Sequence, residues 1–212
     1  MSSHHPLLAK YPIISDQIEP AELSLILSLL QDLLTKNPSG DVCELGCFCG
    51  TTSLFLQRLI TGSTLPHKKL YLYDSFEGLP NKETQDTNAA GTDFQLGQLS
   101  SPKSTLIKNF QKANLPLPKI KKSWFSDLKP SDLPDQICFA FLDGDFYQSI
   151  LDSLRLVYLK LTPGALVIVD DYDNPSLPGA KTATDLFLQT HPKLKLKQIA
   201  HSLAILTFDP SS

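Results

Sequence analysis

Two acidic clusters each follow a short apolar run. Ile137-Cys-Phe-Ala-Phe-Leu142 leads into Asp143-Gly144-Asp145, and Ala165-Leu-Val-Ile-Val169 into Asp170-Asp171. Runs that are apolar at every position read as central strands of a parallel sheet, covered on both faces. Neighbouring strands of this kind deliver four carboxylates to one rim. Like charges there raise one another's pKa, and a divalent cation relieves the repulsion. A set of carboxylate oxygens without His or Cys suits Mg²⁺ rather than Zn²⁺ or Cu²⁺. Any one of these acids is as readily a turn former or a helix cap, but turn formation does not require two acids at each of two strand ends. Asp171 fits the set least well, because consecutive side chains leave an extended chain in opposite directions.

A second constellation lies upstream. Asp41-Val-Cys-Glu-Leu45 reads as a buried strand that stops at Gly46, and a turn with Gly46 and Gly50 leads into a helix starting near Thr51. Glycines at these points let a ligand approach the backbone closely. No Lys follows the second glycine, so this is not a Walker A loop, and the glycine spacing is not that of the G-x-G-x-x-G dinucleotide fingerprint. The next strand ends at Asp74, where a carboxylate can accept from both hydroxyls of a ribose. Together these features fit a nucleoside-containing cofactor that needs no pyrophosphate.

Such residues must be positioned by a scaffold, and the order of elements supplies one. The spacing predicts helices over Pro20 to Lys36, Thr51 to Ile60, Ser101 to Ala113, Tyr147 to Lys160 and Ala180 to Gln189. Between them it predicts strands over Asp41 to Leu45, Lys69 to Tyr73, Lys119 to Lys122, Ile137 to Leu142 and Ala165 to Val169. Leu194 to Ala200 and Leu203 to Phe208 form a closing antiparallel hairpin. Thr162-Pro163-Gly164 reads as a turn. Asn81 to Ser100 reads as a long surface loop, equally suited to a lid and to a solvated connection. This alternation is an α/β fold with a mainly parallel sheet, whose ligands bind beyond the carboxyl ends of the strands.

Composition narrows the function classes. The 212 residues carry 19 Lys and Arg against 22 Asp and Glu, a formal charge of -3, which removes the electrostatic case for nucleic acid or an anionic membrane surface. No stretch reaches the length of a membrane span. The first residues lack a basic segment followed by an apolar run, and Cys43, Cys47, Cys49 and Cys138 offer no second ligand pair for zinc, so free thiols in a cytoplasmic protein are expected. His4, His5, His67, His191 and His201 lie away from the rim and read as loop or surface residues.

Several motifs together resemble a known family. Glu44-Leu-Gly46-Cys-Phe-Cys-Gly50 is similar to the first motif of class I S-adenosylmethionine-dependent methyltransferases. Asp74-Ser-Phe-Glu-Gly-Leu-Pro80 resembles the more specific D-S-F-x-G-L-P signature of the macrocin O-methyltransferase family, which acts on sugar hydroxyls of macrolides and aminocoumarins. Ser123-Trp-Phe-Ser-Asp-Leu128, Leu142-Asp-Gly-Asp-Phe-Tyr147, and Pro163-Gly164 through Tyr172 with Pro178-Gly179-Ala180 agree in order and spacing. The resemblance implies a Rossmann-like class I methyltransferase fold: a mainly parallel seven-stranded sheet, helices on both faces and a C-terminal antiparallel hairpin. Residues 41–212 would be the methyltransferase domain, with residues 1–40 an N-terminal segment and helix packed on it.

The same resemblance implies site roles. Asp143, Asp170 and Asp171 would hold Mg²⁺, and Asp145 would be the general base. Asp74 would bind the ribose, with Ser75 beside it. The turn with Glu44, Gly46, Cys47 and Gly50, continued by Thr51 and Thr52, would hold the methionine end of S-adenosylmethionine. Ser123 and Trp124 would border the adenine, with Asp143 also near the cofactor; Trp124 serves equally well as a core aromatic. Tyr147 and Tyr172 flank the acids, for acceptor contact or for packing. Phe141 stands where the family often has a basic residue, the Cys-Phe-Cys turn replaces a Gly- and Arg-rich one, and Ala165 replaces a second glycine. The implied partner is a small hydroxylated acceptor, with a homodimer left open. A catechol-type metal-dependent O-methyltransferase and a non-catalytic cofactor-binding protein on the same fold are the alternatives.

Overall fold

The structure, a computed structural model, describes residues 4–63, 68–88 and 94–211. His67 and the middle of the Asn81 to Ser100 loop lie outside the described residues. In chain order the elements are α1 (Pro6–Lys10), α2 (Pro20–Thr35), β1 (Asp41–Leu45), α3 (Thr51–Gly62), β2 (Leu70–Asp74), α4 (Lys103–Lys112), β3 (Lys119–Lys122), β4 (Ile137–Leu142), α5 (Tyr147–Tyr158), β5 (Leu161–Val169), α6 (Pro178–Thr190), β6 (Leu194–Ala200) and β7 (Leu203–Phe208).

The strands form one sheet in the order β3-β2-β1-β4-β5-β7-β6. β1 to β5 are parallel, while β7 runs antiparallel to both β5 and β6. Chain order reverses between β1 and β4, which opens a crevice at their carboxyl ends. All of β4 is buried, as its apolar sequence requires. Phe139 and Phe141 join one core cluster with Leu23, Leu27 and Leu30 of α2 and Phe55 of α3. Ala140 and Leu142 join the opposite cluster with Ile150 and Leu154 of α5 and Phe187 of α6. The period of two along β4 thus puts a helical layer on each face, and each large side chain so covered contributes roughly 1.5–3 kcal/mol.

The structure departs from the sequence reading in three places. Thr162-Pro163-Gly164 is not a separate turn but part of β5. Leu161 already pairs with Ile137, the register then shifts before Leu166 meets Phe139, and Gly164 absorbs the irregularity at φ +77°. Thr162 Oγ1 donates to the carbonyls of Ser39 (2.9 Å) and Ile137 (3.2 Å), which ties the shifted segment down. His5 is buried rather than exposed: its Nε2 lies 2.8 Å from Gln31 Oε1, its backbone N–H donates to Ser24 Oγ at 2.7 Å, and its Nδ1 accepts from Leu7 N–H at the start of α1. The Asn81 to Ser100 loop is not wholly a surface loop, because Asp86 is 2% exposed and Leu99 and Phe94 pack against buried Phe146 and Leu177. Among the described residues no helix is long and apolar enough to cross a membrane.

Candidate active site

The turn after β1 is built around one carboxylate. Gly46 has φ +91°, and a Cβ there would sit 1.7 Å from the carbonyl oxygen of Asp143, so only glycine lets β1 and β4 approach this closely. The chain then turns through Phe48 (φ 45°) and Gly50 (φ 93°) into α3. Asp74 Oδ2 accepts from the backbone N–H groups of Cys47 (2.8 Å) and Phe48 (2.9 Å), and Oδ1 accepts from Phe76 N–H (2.6 Å). Asp74 therefore clamps the turn and retains acceptor capacity on Oδ1 for a ligand hydroxyl. Glu44 is 1% exposed and accepts from Ser53 Oγ at 2.5 Å; burial pushes its carboxyl up to about 8, against the opposing effect of that hydrogen bond.

The acid rim lies across the crevice. Single carboxylate oxygens of Asp143, Asp145 and Asp171 lie within 4.8 Å of one another. The sequence reading ranked Asp171 lowest by strand alternation, but that rule holds only for extended backbone. Asp171 has φ 56°, as Asp145 has φ 58°, and this left-handed conformation breaks the alternation. Asn174 Nδ2 donates to Asp171 Oδ1 at 2.8 Å. Asp170 is 7% exposed and its Oδ1 accepts from Asp171 N–H at 2.9 Å. Burial, then the charges of neighbouring carboxylates, pushes Asp143 and Asp170 well above the usual carboxylate range. Burial, then Asp171 and Asp74, takes Asp145 to about 8, and burial also raises Asp171.

One cavity of about 480 Å³ joins the two regions. Of the expected residues, Gly46, Asp74, Ser75, Ser123, Trp124, Asp143, Asp145, Asp170 and Asp171 line it. Glu44, Cys47, Gly50, Thr51 and Thr52 do not; they are buried behind the turn that they shape. Trp124 is half-buried at the cavity wall, where the Ser123 N–H bond to Asp74 O (2.9 Å) fixes its segment beside β2. Tyr172 is buried in the core and donates to Asp185 Oδ1 at 2.6 Å.

Other lining residues were not foreseen. Asp16 and Gln17 come from the segment leading into α2, Glu22 from the first turn of α2, and Gln148 and Asp152 from one face of α5. The four-residue spacing of Gln148 and Asp152 was a usable signal. Nothing in the sequence marked Asp16, whose place depends on a tertiary contact, Ser15 Oγ to Thr51 Oγ1 at 2.6 Å. Nine carboxylates border the cavity, and none of its described lining residues is Lys, Arg or His.

A family model described as macrocin-O-methyltransferase (TylF) matches residues 18–200. The 8-demethyl-8-(2,3-dimethoxy-alpha-L-rhamnosyl)-tetracenomycin-C 4'-O-methyltransferase of Streptomyces olivaceus is 29% identical over 149 residues, 68% of this chain and 57% of that protein. The mycinamicin III 3''-O-methyltransferase of Micromonospora griseorubida is 25% identical over 190 residues, 85% of this chain and 73% of that one. The match thus spans little more than half of the first relative's length. Among solved structures, the O-methyltransferase NovP superposes with a TM-score of 0.74 at 22% identity, over 88% of this chain and 79% of its own. The calicheamicin methyltransferase CalS11 gives 0.71 at 19% identity, over 95% and 88%. These likenesses carry the fold, and the family match covers the strand-end motifs on both sides of the crevice, so the chain belongs to the macrocin O-methyltransferase family.

Proposed function

We propose that the chain transfers a methyl group from S-adenosylmethionine to a hydroxyl of a small glycosylated metabolite, with Mg²⁺ at the acid rim. The observation that carries this reading is the single cavity in which the glycine turn and the four acids face one another. The donor set supports a hard cation, since it is all carboxylate oxygen and three of those oxygens already lie within 4.8 Å of one another. Bound there, Mg²⁺ would supply Lewis acidity that lowers the pKa of the acceptor hydroxyl. S-adenosylmethionine would supply an electrophilic methyl on a cationic sulfur, a charge that suits an acidic cavity.

The chain's own residues then have defined tasks. The Gly46 to Gly50 turn and Asp74 hold the donor, and Trp124 walls the adenine side. Asp143, Asp170 and Asp171 hold the cation. Asp145 takes the hydroxyl proton as the oxygen–carbon bond forms and the sulfur–carbon bond breaks, a role typically worth about 10²–10⁴-fold. With nine carboxylates and no cationic lining side chain among the described residues, the acceptor is neutral or positively charged rather than phosphorylated.

A second assignment of the acids is favoured by one observation. Asp145, not Asp170, shares the tight cluster with Asp143 and Asp171, which would make it a ligand. Titration with Mn²⁺ followed by electron paramagnetic resonance separates the two. Under the first assignment Asp170→Asn weakens Mn²⁺ binding and Asp145→Asn spares it; under the second the order reverses. For the cofactor, calorimetry with S-adenosylhomocysteine is expected to give a Kd below about 1 mM. No heat of binding at millimolar ligand overturns the proposed function.

A further inference from the structure

The loop between β2 and α4 contains a carboxylate with no role in the chemistry above. Asp86 is 2% exposed within a polar stretch. Its Oδ1 accepts from Tyr147 N–H at 2.7 Å and its Oδ2 from Glu83 N–H at 2.8 Å. Tyr147 is the first residue of α5 and lies two residues after Asp145. A carboxylate at a helix N-terminus is held both by that hydrogen bond and by the helix dipole.

The start of α6 closes on the same point. A Cβ on Gly179 would lie 1.8 Å from Asp86 Oδ1 and 2.7 Å from Tyr147 N, so only glycine permits this approach. The Pro178-Gly179-Ala180 motif, to which the sequence assigned no chemistry, is thus where the helix after Asp170-Asp171 meets the helix after Asp143-Asp145. Two further contacts tie the loop to the same places. Asn88 Nδ2 donates to Ser176 O at 2.9 Å, just before α6. Leu79, Phe146 and Leu177 form a small apolar cluster, with Phe94 and Leu99 packed against it.

The two acid-bearing turns are held together at their bases by the sheet, where Asp170 N–H donates to Leu142 O at 2.9 Å, and beyond that bond the loop contacts are what bridge the helices that follow them. We propose that Asp86 is a positioning residue, a strut that sets the distance between the turn carrying Asp143 and Asp145 and the turn carrying Asp170 and Asp171. The proposal rests on the reading of those acids as the metal and base set. Removing groups that orient ligating side chains typically lowers metal affinity about 10–100-fold.

The test compares the full chain with Asp86→Ala and Asp86→Asn by amide hydrogen exchange, together with Mn²⁺ and S-adenosylhomocysteine titrations. Asp86→Ala is expected to speed exchange over both residues 143–150 and residues 170–180, leaving residues 41–56 unchanged. Mn²⁺ affinity is expected to fall about tenfold, with S-adenosylhomocysteine affinity held. Asp86→Asn, which keeps an acceptor oxygen for Tyr147 N–H, recovers most of both effects. Faster exchange confined to the loop, or parallel loss of both ligands, overturns the proposal. Should Asp86→Ala not fold, Gly179→Ala presses on the same junction from the other side; unchanged exchange over residues 143–150 in that variant also overturns it. If the wild-type chain binds no Mn²⁺, the metal assignment fails, and exchange in the two turns still decides the strut.

Discussion

The two halves of the cavity are built on opposite principles. At the β1–β2 side one carboxylate, Asp74, accepts from three backbone N–H groups, and the turn it holds is locally satisfied. At the β4–β5 side four carboxylates face one another with raised pKa values; left-handed backbone is common to both sides, at Phe48 and Phe76 on the first and at Asp145 and Asp171 on the second. The first region is a finished cradle. The second is under electrostatic stress, since burial and neighbouring carboxylates disfavour the charged form of its acids. Carboxylates perturbed in this way cluster at functional sites. Under the proposed function the first half serves recognition and the second the chemistry.

The largest expected effect breaks both halves together. Gly46→Ala drives a Cβ into the Asp143 carbonyl at 1.7 Å, a backbone collision that no side-chain rotation relieves. Stability should fall by about 3 kcal/mol or more in denaturant unfolding, with loss of S-adenosylhomocysteine binding. Next comes Asp74→Ala, which leaves three N–H groups without their acceptor. It should cost about 2–3 kcal/mol and weaken S-adenosylhomocysteine by calorimetry, while Mn²⁺ affinity at the rim stays within threefold of wild type. Equal loss of both ligands would erase the distinction between the halves.

The rim has its own signature in pH. Asp145 rises from 3.8 to about 8, and burial raises Asp143, Asp170 and Asp171 as well, so between roughly pH 4 and 8 the folded chain binds more protons than the unfolded one. Stability must then fall as pH rises through that window. The metal-free chain should melt roughly 5–10 °C lower at pH 8.5 than at pH 6, and Mg²⁺ should restore more at pH 8.5, where the carboxylates are ready to bind it. A melting temperature that rises across this range would contradict the stressed rim. The smallest effect belongs to Ser15→Ala, which removes the hydroxyl pair with Thr51 behind the cradle. A loss of about 1 kcal/mol in chemical unfolding is expected, with rim affinities unchanged.

The order of elements was legible because burial on both faces writes continuous apolar runs, as in β4, and one-sided burial writes the leucine period of α2. The acids were legible because the strand ends that carry them are fixed by those runs. What stayed hidden depends on tertiary closure. Asp86 reads as one more polar residue in a polar loop, and only the meeting of α5 with Gly179 buries it. Asp171 was ranked low by a strand rule that its left-handed backbone suspends. His5 lies in a short stretch without periodicity, and its burial comes from α2 residues 19 and 26 positions away. Thr162 to Gly164 has turn composition, yet pairing with β4 overrides it.

The most direct measurement is methyl transfer from isotopically methyl-labelled S-adenosylmethionine to a panel of neutral, amino-bearing and phosphorylated glycosides, with Mg²⁺ and with EDTA. The expected result is label on a hydroxyl of a neutral or amino-bearing acceptor, a rate lowered at least about 100-fold by EDTA, and a comparable loss in Asp145→Asn. Transfer that is indifferent to EDTA and to Asp145→Asn, or that favours phosphorylated acceptors, would contradict the assignment of chemistry to the acid rim.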